Sequence, residues 1–372
     1  MRLLSIEPEL YKFASCKDFV EEFKVGKGDL LVTSKSVYET FLAPMNLGCD
    51  VIFKRDYGAG EPTDIMVEAM YEDIAKMGLH KRVVAIGGGG VLDIAKLFAI
   101  KETVPVAGLY DGSIKIEKDK ELILVPTTCG TGSEVTNISI LALTKQNTKK
   151  GLAGPELFAD YAVLVPELLQ DIPFGVFATS SIDALVHSVE SILSPKASEA
   201  TRMFGYKAIE MILPGYMKIA KDGPEALGPL IEDFLVASTY AGISFGNAGC
   251  AAVHALSYPL GATYHVAHGE ANYAMFTGVM FSYMEVKQDG EIAKLNKFMA
   301  DILGCTPETV YVELEKLLNN LVQKKPLREY GMKEEEIELF ADSVMANQGR
   351  LMANNFVELN RDKVVEIYKK LY

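Results

Sequence analysis

The sequence predicts a two-domain protein, in which an α/β domain with a mainly parallel sheet precedes an all-helical domain. In the first half, short apolar runs rich in β-branched residues alternate with helix-like periodicity, as in a parallel sheet covered by helices. After about residue 172 the strand-like runs stop and long helical patterns follow one another. Pro173 and Gly175 punctuate this change, so we expect domains at 1–171 and 172–372.

Five short runs in the first domain predict strands, because each is apolar and bounded by turn-forming residues. Between the second and third runs, residues 62–78 place apolar side chains at helical spacing. The predicted strands are DLLVT (29–33), DVIF (50–53), RVVAIG (82–87), ELILVP (121–126) and YAVLVP (161–166). In the second domain the predicted helices lie within residues 177–194, 199–223, 226–246 and 307–325.

Composition limits the classes of partner. A net charge of −13 would repel nucleic acid and an anionic membrane surface, although a local cationic pocket could still take a small anion. We expect neither a signal peptide nor a membrane span, because the chain lacks the apolar runs that both require. The five scattered cysteines include no CxxC pair, which indicates free thiols in a reducing cytoplasm. These features favour a cytoplasmic protein with a small-molecule ligand.

A run of four glycines, Gly87 to Gly90, joins the third predicted strand to a helix that we expect to start near Val91. Glycines permit a tight turn and close approach of a ligand to the backbone, and the first N–H groups of the helix point at the same loop. This arrangement suits an anion such as a pyrophosphate, although the spacing matches neither GxGxxG nor a P-loop. A plain strand-to-helix turn is the alternative.

The segment VPTTCGTGSEVTN (125–137) follows the next predicted strand. It places small hydroxyl side chains and glycines at the carboxyl end of a parallel strand, where open α/β sheets bind ligands. Alternatively, Thr131 or Ser133 caps a helix that has Glu134 in its first turn. Both interpretations can hold together.

Four of the five histidines fall in two short motifs. In SSIDALVHSVES, Asp183 and His187 are four residues apart and share one face of a largely apolar helix, where a metal ion could satisfy both. His254 and His268, at either end of HALSYPLGATYHVAHG, would complete a nitrogen and oxygen ligand set suited to Fe(II), Zn(II) or a similar ion. Hydrogen-bonded core histidines are the alternative. The remaining histidine, His80, is predicted to be an ordinary loop residue.

Taken in order, GGGGVLDIAK, PTTCGTGSEVTN, DALVHSVES and the histidine segment resemble the motifs of the iron-containing (group III) alcohol dehydrogenases. The resemblance covers essentially the whole chain. It implies the dehydroquinate synthase-like fold of that family, with a nucleotide-binding α/β domain, a helical metal domain and the active site in the cleft. Residues 11–29 and 325–344 look most similar to members that act on 4-hydroxybutyrate.

The resemblance also implies roles for individual residues. The metal ligands would be Asp183, His187, His254 and His268. The cofactor, NAD with NADP left open, would have its pyrophosphate on the glycine loop and its ribose near Lys150. The residues implied in cofactor binding are Gly88, Gly89, Gly90, Thr127, Thr128, Thr131 and Lys150. We expect a homo-oligomer, with a dimer favoured.

Three departures from the family pattern matter. Gly90 stands where many members have serine, so one hydroxyl contact is lost. Ser34 stands where members that prefer NAD often carry aspartate, and a small neutral residue does not repel a 2′-phosphate. Tyr258 replaces a histidine four residues after His254, so a histidine relay through that position is ruled out. His265 is then the candidate for proton transfer, with a hydrogen-bonded supporting role as its alternative.

The implied reaction is reversible hydride transfer between a primary alcohol and a nicotinamide, with a metal that lowers the pKa of the alcohol. For 4-hydroxybutyrate and succinic semialdehyde, the carboxylate needs a cation, and we nominate Arg350 as that anchor. An exposed helix-face arginine is the alternative. Uncharged substrates such as butanol or 1,3-propanediol are the competing choice. A sugar-phosphate cyclase would need more cations in the motifs, and a non-catalytic nucleotide-binding protein would not need the ligand set.

Overall fold

The computed structural model describes residues 2–146 and 148–372, which form two compact units. One unit is Ile6–Asp171, and the other is Ile172–Tyr372 together with residues 2–5. We predicted that residues 2–5 would belong to the α/β domain, and this was wrong. The Ser5 N–H donates to Asn247 Oδ1 at 2.7 Å, and Ser198 Oγ donates to the Leu3 carbonyl at 2.6 Å, so the start of the chain is tied to the helices.

The α/β unit is built on a six-stranded sheet in which every neighbouring pair is parallel. Its strands are β1 (Glu9–Lys12), β2 (Asp29–Thr33), β3 (Asp50–Phe53), β4 (Arg82–Gly87), β5 (Glu121–Pro126), β6 (Ile138–Leu143), β7 (Thr148–Ala153) and β8 (Tyr161–Leu164). Its α-helices are α1 (Cys16–Phe23), α2 (Lys35–Val37), α3 (Asp64–Met77), α4 (Gly89–Phe98) and α5 (Val106–Asp111). The sheet order is β1–β8–β5–β4–β2–β3, while β6 and β7 form a separate antiparallel hairpin.

All five predicted strands are confirmed, and so is the helix between β3 and β4. Strand β8 ends at Leu164, earlier than predicted, because Pro166 starts a 3₁₀ turn. The edge strand β1 and the β6–β7 hairpin were not predicted. Strands β1 and β7 mix polar and apolar residues, whereas β6 is apolar apart from Ser139 and its run was a missed signal. Helices α3 and α4 pack their apolar sides against the buried strand residues, which gives the sheet a closed core.

The described residues of the second unit form helices and connecting loops, with no strand among them. Its α-helices are α6 (Phe174–Leu193), α7 (Glu199–Asp222), α8 (Ile231–Ala248), α9 (Ala252–Tyr264), α10 (His268–Val286), α11 (Glu291–Leu303), α12 (Val310–Leu318), α13 (Ile337–Asn347), α14 (Gly349–Met352) and α15 (Arg361–Leu371). The predicted helix at 226–246 is divided, because residues around Pro229 form a 3₁₀ helix before α8 starts. Among the described helices, none is long and apolar enough to cross a membrane.

Candidate metal centre and cofactor loop

Four side chains from three helices converge in the helical unit. Asp183 and His187 lie one turn apart on α6, His254 lies in the first turn of α9, and His268 is the first residue of α10. Each offers one ligand atom, and these atoms all lie within 4.8 Å of one another. From Asp183 Oδ1, the Nε2 atoms of His187, His254 and His268 are 3.8, 3.5 and 3.8 Å away, respectively. The structure thus brings together all four residues that the family resemblance implied.

The spacing and charge of this group fit a divalent metal ion. Four ligands about 2.1 Å from one tetrahedral ion lie about 3.4 Å apart, whereas hydrogen bonds need about 2.7–3.2 Å. Burial alone raises the pKa of the Asp183 carboxyl, but His187, His268 and His254 outweigh burial and hold that pKa well below its usual range. A buried carboxylate that stays ionised requires positive charge beside it, which a divalent cation would supply.

Access to the group comes from His268, because the other three side chains are almost fully buried while 33% of His268 is exposed. The His187 ring is held between two others, stacked on Phe245 at 4.0 Å and on His254 at 4.6 Å between ring centroids. Stacking restricts the rotation of the imidazole, so its ligand nitrogen keeps a fixed direction. A small molecule would therefore approach the centre beside His268.

The glycine that follows His268 allows two helices to meet. A Cβ atom built on Gly269 would lie 2.1 Å from the Thr179 carbonyl oxygen on α6 and 3.5 Å from the Asp183 Cβ. Any larger residue would therefore push the start of α10 away from α6. The His-Gly pair is what lets His268 reach Asp183.

Glu190 is a buried residue of this centre that the sequence analysis missed. Its Oε2 accepts a hydrogen bond from His254 Nδ1 at 2.6 Å, and its Oε1 accepts from the Val253 N–H at 2.6 Å. This pairing places the proton on Nδ1 and leaves Nε2 of His254 available to a metal. Glu190 lies seven residues after Asp183 and three after His187, so helical spacing could have identified it. The Cys250 thiol also lies within 4.8 Å of the Glu190 and His254 ligand atoms.

Asn272 is a second missed residue, one turn after His268 on α10. Its Nδ2 lies 2.7 Å from Asp183 Oδ1, 3.1 Å from His254 Nε2 and 3.3 Å from His268 Nε2. Its Oδ1 accepts a hydrogen bond from Ser257 Oγ at 2.5 Å, which fixes the orientation of the amide. The buried amide thus touches three of the four candidate ligands and aligns them.

The two residues nominated for catalysis lie outside this four-residue group. His265 is exposed at the C-terminal cap of α9 and has a left-handed backbone, with φ of 55°. Arg350 is exposed on α14 and has no carboxylate partner among the described residues. It is close enough to Tyr258 to influence that phenol electrostatically, and the Tyr258 ring lies 6.1 Å from the His268 ring. Burial raises the pKa of Tyr258 to about 12, so its hydroxyl stays protonated near neutral pH.

In the α/β unit, the glycine run and the threonine segment form one surface. Helix α4 begins at Gly89, earlier than predicted, with Gly88 as its N-cap. A Cβ on Gly89 would lie 2.6 Å from Thr131 Cγ2, and one on Gly88 would lie 3.4 Å from Thr128 Cγ2. The Thr127 N–H donates to the Gly87 carbonyl at 3.0 Å, which ties the two segments together. Position 89 must therefore be glycine, because Thr131 fills the space that a Cβ atom would occupy.

This surface fits a phosphate-bearing cofactor. The Thr128 hydroxyl is buried and has no hydrogen-bond partner among residues 2–146 and 148–372, a state that costs about 1–3 kcal/mol and that a ligand oxygen would relieve. It lies beside the first turn of α4, whose free N–H groups and dipole favour an anion. The alternative of a capped α-helix at Thr131 or Ser133 was wrong, because Ser133–Val135 is a short 3₁₀ turn that follows Gly132 in the left-handed region.

The other predicted cofactor residues have partners within the same unit. Ser34 caps α2, where its Oγ accepts from the Val37 N–H at 3.3 Å. Lys150 lies on β7, and its Nζ donates to the Tyr110 carbonyl at 2.7 Å. A Cβ on Gly90 would lie 3.2 Å from Pro62 Cδ, so a serine there would be crowded.

His80 lies in a loop, as we predicted, but it is not an ordinary exposed loop residue. It is buried, and its Nε2 lies 2.9 Å from Asp50 Oδ2. The buried imidazole thus has a hydrogen-bond partner inside the α/β unit.

Comparisons with known proteins agree with this arrangement. Two family models match, "Iron-containing alcohol dehydrogenase" over residues 10–166 and "Fe-containing alcohol dehydrogenase family, C-terminal" over residues 177–372. The 4-hydroxybutyrate dehydrogenase of Clostridium kluyveri is 50% identical over 372 residues, which is 100% of both chains.

Solved structures show the same fold at low identity. A 1,3-propanediol oxidoreductase is 22% identical with a TM-score of 0.85, and the match covers 100% of each chain. The sulfoacetaldehyde reductase of Bifidobacterium kashiwanohense, solved in complex with NAD+, is 22% identical with a TM-score of 0.83. That match covers 99% of this chain and 98% of the other. The predicted fold class is confirmed, and the chain belongs to the iron-containing alcohol dehydrogenase family.

Proposed function

We propose that this alcohol dehydrogenase interconverts 4-hydroxybutyrate and succinic semialdehyde by hydride transfer to and from a nicotinamide cofactor. The observation that carries the proposal is the buried group of one carboxylate and three imidazoles, whose ligand atoms lie within 4.8 Å of one another. The choice of substrate is supported by 50% identity to a 4-hydroxybutyrate dehydrogenase over the full length of both chains.

Asp183, His187, His254 and His268 would hold the metal, which would act as a Lewis acid that lowers the pKa of a substrate hydroxyl. Fe(II) is our first choice because of the family, and Zn(II) suits the same ligands. Glu190 and Asn272 act through the ligands: one fixes the tautomer of His254, and the other aligns Asp183.

The cofactor would bind on the α/β unit, where the start of α4 receives the pyrophosphate and the Thr128 hydroxyl gains a partner. We propose NAD as this cofactor, in line with the NAD+ complex of the sulfoacetaldehyde reductase. Ser34 carries no charge to repel a 2′-phosphate, so NADPH is included in the test.

Arg350 would bind the substrate carboxylate. The guanidinium is exposed, has no acidic partner among the described residues, and acts electrostatically on Tyr258, which neighbours His268. A carboxylated substrate near the partly exposed His268 would therefore meet an available cation. An uncharged alcohol would gain nothing from Arg350, and this separates the two substrate classes.

Proton transfer is proposed for His265 rather than Tyr258. The pKa of about 12 keeps the Tyr258 phenol protonated, so it cannot exchange a proton freely near neutral pH. His265 is exposed to solvent, and imidazole is the side chain best suited to carry protons at that pH.

The experiment is anaerobic reconstitution. Chelator-treated protein receives Fe(II) or Zn(II), and oxidation of NADH or NADPH is followed with succinic semialdehyde and, separately, with butyraldehyde. Metal-dependent activity that favours succinic semialdehyde supports the proposal. Equal or better activity with butyraldehyde would shift the assignment to uncharged alcohols or diols. No activity with any metal would reject the mechanism.

Two variants provide a matched pair for this test. His268→Ala removes a candidate ligand and should abolish the metal response, whereas His80→Gln changes a histidine of the other unit and should retain it. The expected dimer stays a prediction, which light scattering on the same preparation would test.

A further inference from the structure

The motif that starts with the glycine run continues into an ion pair between the partly buried Asp93 and the fully buried Lys96, which the proposed reaction does not use. Lys96 lies on α4 and its side chain is 0% exposed. Its ammonium donates to Ile138 O at 2.6 Å and Ser133 Oγ at 2.8 Å. Asp93 Oδ1 and Thr136 Oγ1 lie farther away, each at 3.3 Å. A fully buried cation is costly unless it is paired in this way.

The Asp93 carboxylate is saturated by the same segment of chain. Its Oδ1 accepts from Ser133 Oγ at 2.5 Å, and its Oδ2 accepts from the Ile140 N–H at 3.0 Å. Ser133 therefore lies between the two charges, accepting a hydrogen bond from Lys96 and donating one to Asp93. Asp93 and Lys96 together attach α4 to the residues that follow the threonine segment.

The network reaches the cofactor surface through Thr131. The Ser133 N–H donates to Thr131 Oγ1 at 3.4 Å, and the Thr131 side chain packs where a Cβ of Gly89 would stand. Ser133 is thus the link between the buried charges and the residue that covers the first turn of α4. Displacement of Ser133 would release Thr131 from the glycine loop.

We propose that Lys96 and Ser133 are positioning residues for the cofactor: they hold the threonine segment against the first turn of α4 in its cofactor-binding shape. The inference rests on the proposed nicotinamide cofactor and concerns residues that touch no ligand themselves. Replacing a buried ion pair by apolar residues often leaves the free energy of unfolding unchanged. The contribution that we assign to Asp93 and Lys96 is therefore a fixed geometry of the loop.

The test compares two serine variants of the same network. Ser133→Ala removes the hydroxyl that accepts from Lys96 and donates to Asp93, while the backbone N–H that donates to Thr131 Oγ1 remains, so it tests whether the charged pair holds this residue and Thr131 in place. Ser139→Ala removes a buried hydroxyl of equal size that donates to the Asp93 carbonyl at 2.8 Å and has no bond to the threonine segment. We would measure the Kd for NADH by fluorescence with no substrate present, then KM for NADH, kcat and the thermal midpoint.

We expect Ser133→Ala to raise the Kd and KM for NADH about tenfold, the scale of one lost charge-assisted hydrogen bond, with a smaller change in kcat. Ser139→Ala should keep the wild-type Kd with a similar thermal midpoint. Lys96→Met should raise the Kd further where the variant folds. If wild type binds NADH and both serine variants bind it equally well, the positioning role is wrong while the proposed function stands. If wild-type protein binds neither NADH nor NADPH, the cofactor proposal fails and this inference fails with it.

Discussion

The candidate metal centre is built from metal-binding side chains, whereas the cofactor loop depends on glycines that lack side chains. In the helical unit, Asp183 and three imidazoles point at one place, and Glu190 and Asn272 orient them. In the α/β unit, Gly88 and Gly89 leave room for the threonine segment. We therefore expect the metal centre to fail when a ligand atom is removed, and the cofactor loop to fail when an atom is added to a glycine.

The largest expected effect is at Asp183. Asp183→Asn removes the only carboxylate of the four-residue group, so bound metal should be lost and kcat/KM should fall by about a thousandfold or more. Elemental analysis and NADH-coupled rates measure the two effects. The Kd for NADH should stay at the wild-type value, because the loop belongs to the other unit. A fully metallated and active Asp183→Asn protein would contradict the metal assignment.

Glu190→Gln tests whether the carboxylate that orients His254 is needed for metal binding. In glutamine one of the two carboxylate oxygens becomes an NH2 group, which would face the donor of either His254 Nδ1 or Val253 N, so one hydrogen bond is lost and we expect metal affinity to fall about 10- to 100-fold. Competition with a chromophoric chelator gives the Kd for the metal. Unchanged affinity would mean that Glu190 serves packing alone.

Gly89→Ala tests the opposite site by adding one carbon atom. The new Cβ would lie 2.6 Å from Thr131 Cγ2, so the loop must shift, and we expect the Kd for NADH to rise about tenfold with metal content unchanged. Gly228→Ala is the matched control, because its Cβ meets nothing within 4 Å. Equal NADH affinity in the two variants would show that the loop tolerates the shift.

The smallest expected effect is at Arg350, because an exposed ion pair contributes little in water. Arg350→Ala should raise KM for succinic semialdehyde about fivefold, which corresponds to about 1 kcal/mol. Steady-state kinetics with butyraldehyde provide the control, since that substrate has no carboxylate to lose a partner. A parallel rise for both aldehydes would remove Arg350 from substrate recognition.

The residues that sequence analysis found are those whose chemical type is unusual in their setting. Histidines are rare in this chain, and four consecutive glycines are conspicuous, so the candidate ligands and the loop stood out before any coordinates were known. Ordinary strands such as β4 and β5 were equally clear because they are buried on both faces.

The residues it missed act through partners that are distant in the chain. Asn272 reaches Asp183 across 89 positions, and Lys96 reaches Ser133 across 37. A single sequence gives no sign of such pairs, because asparagine and lysine are common on helix surfaces. The same reason explains why β1 and β7 were missed, because their polar residues gain strand partners only in the folded chain.

The first few residues of the chain belong to the unit that is completed last. Leu3 and Ser5 bond to Ser198 and Asn247, which lie 195 and 242 positions later, so a ribosome must synthesise the whole α/β unit before those partners emerge. During that interval residues 2–5 lack their helical partners, while the α/β unit that follows them can already fold. A protease cut at residue 171 would likewise leave these residues attached to the wrong fragment. The helical unit therefore takes residues from both before and after the α/β unit in the sequence.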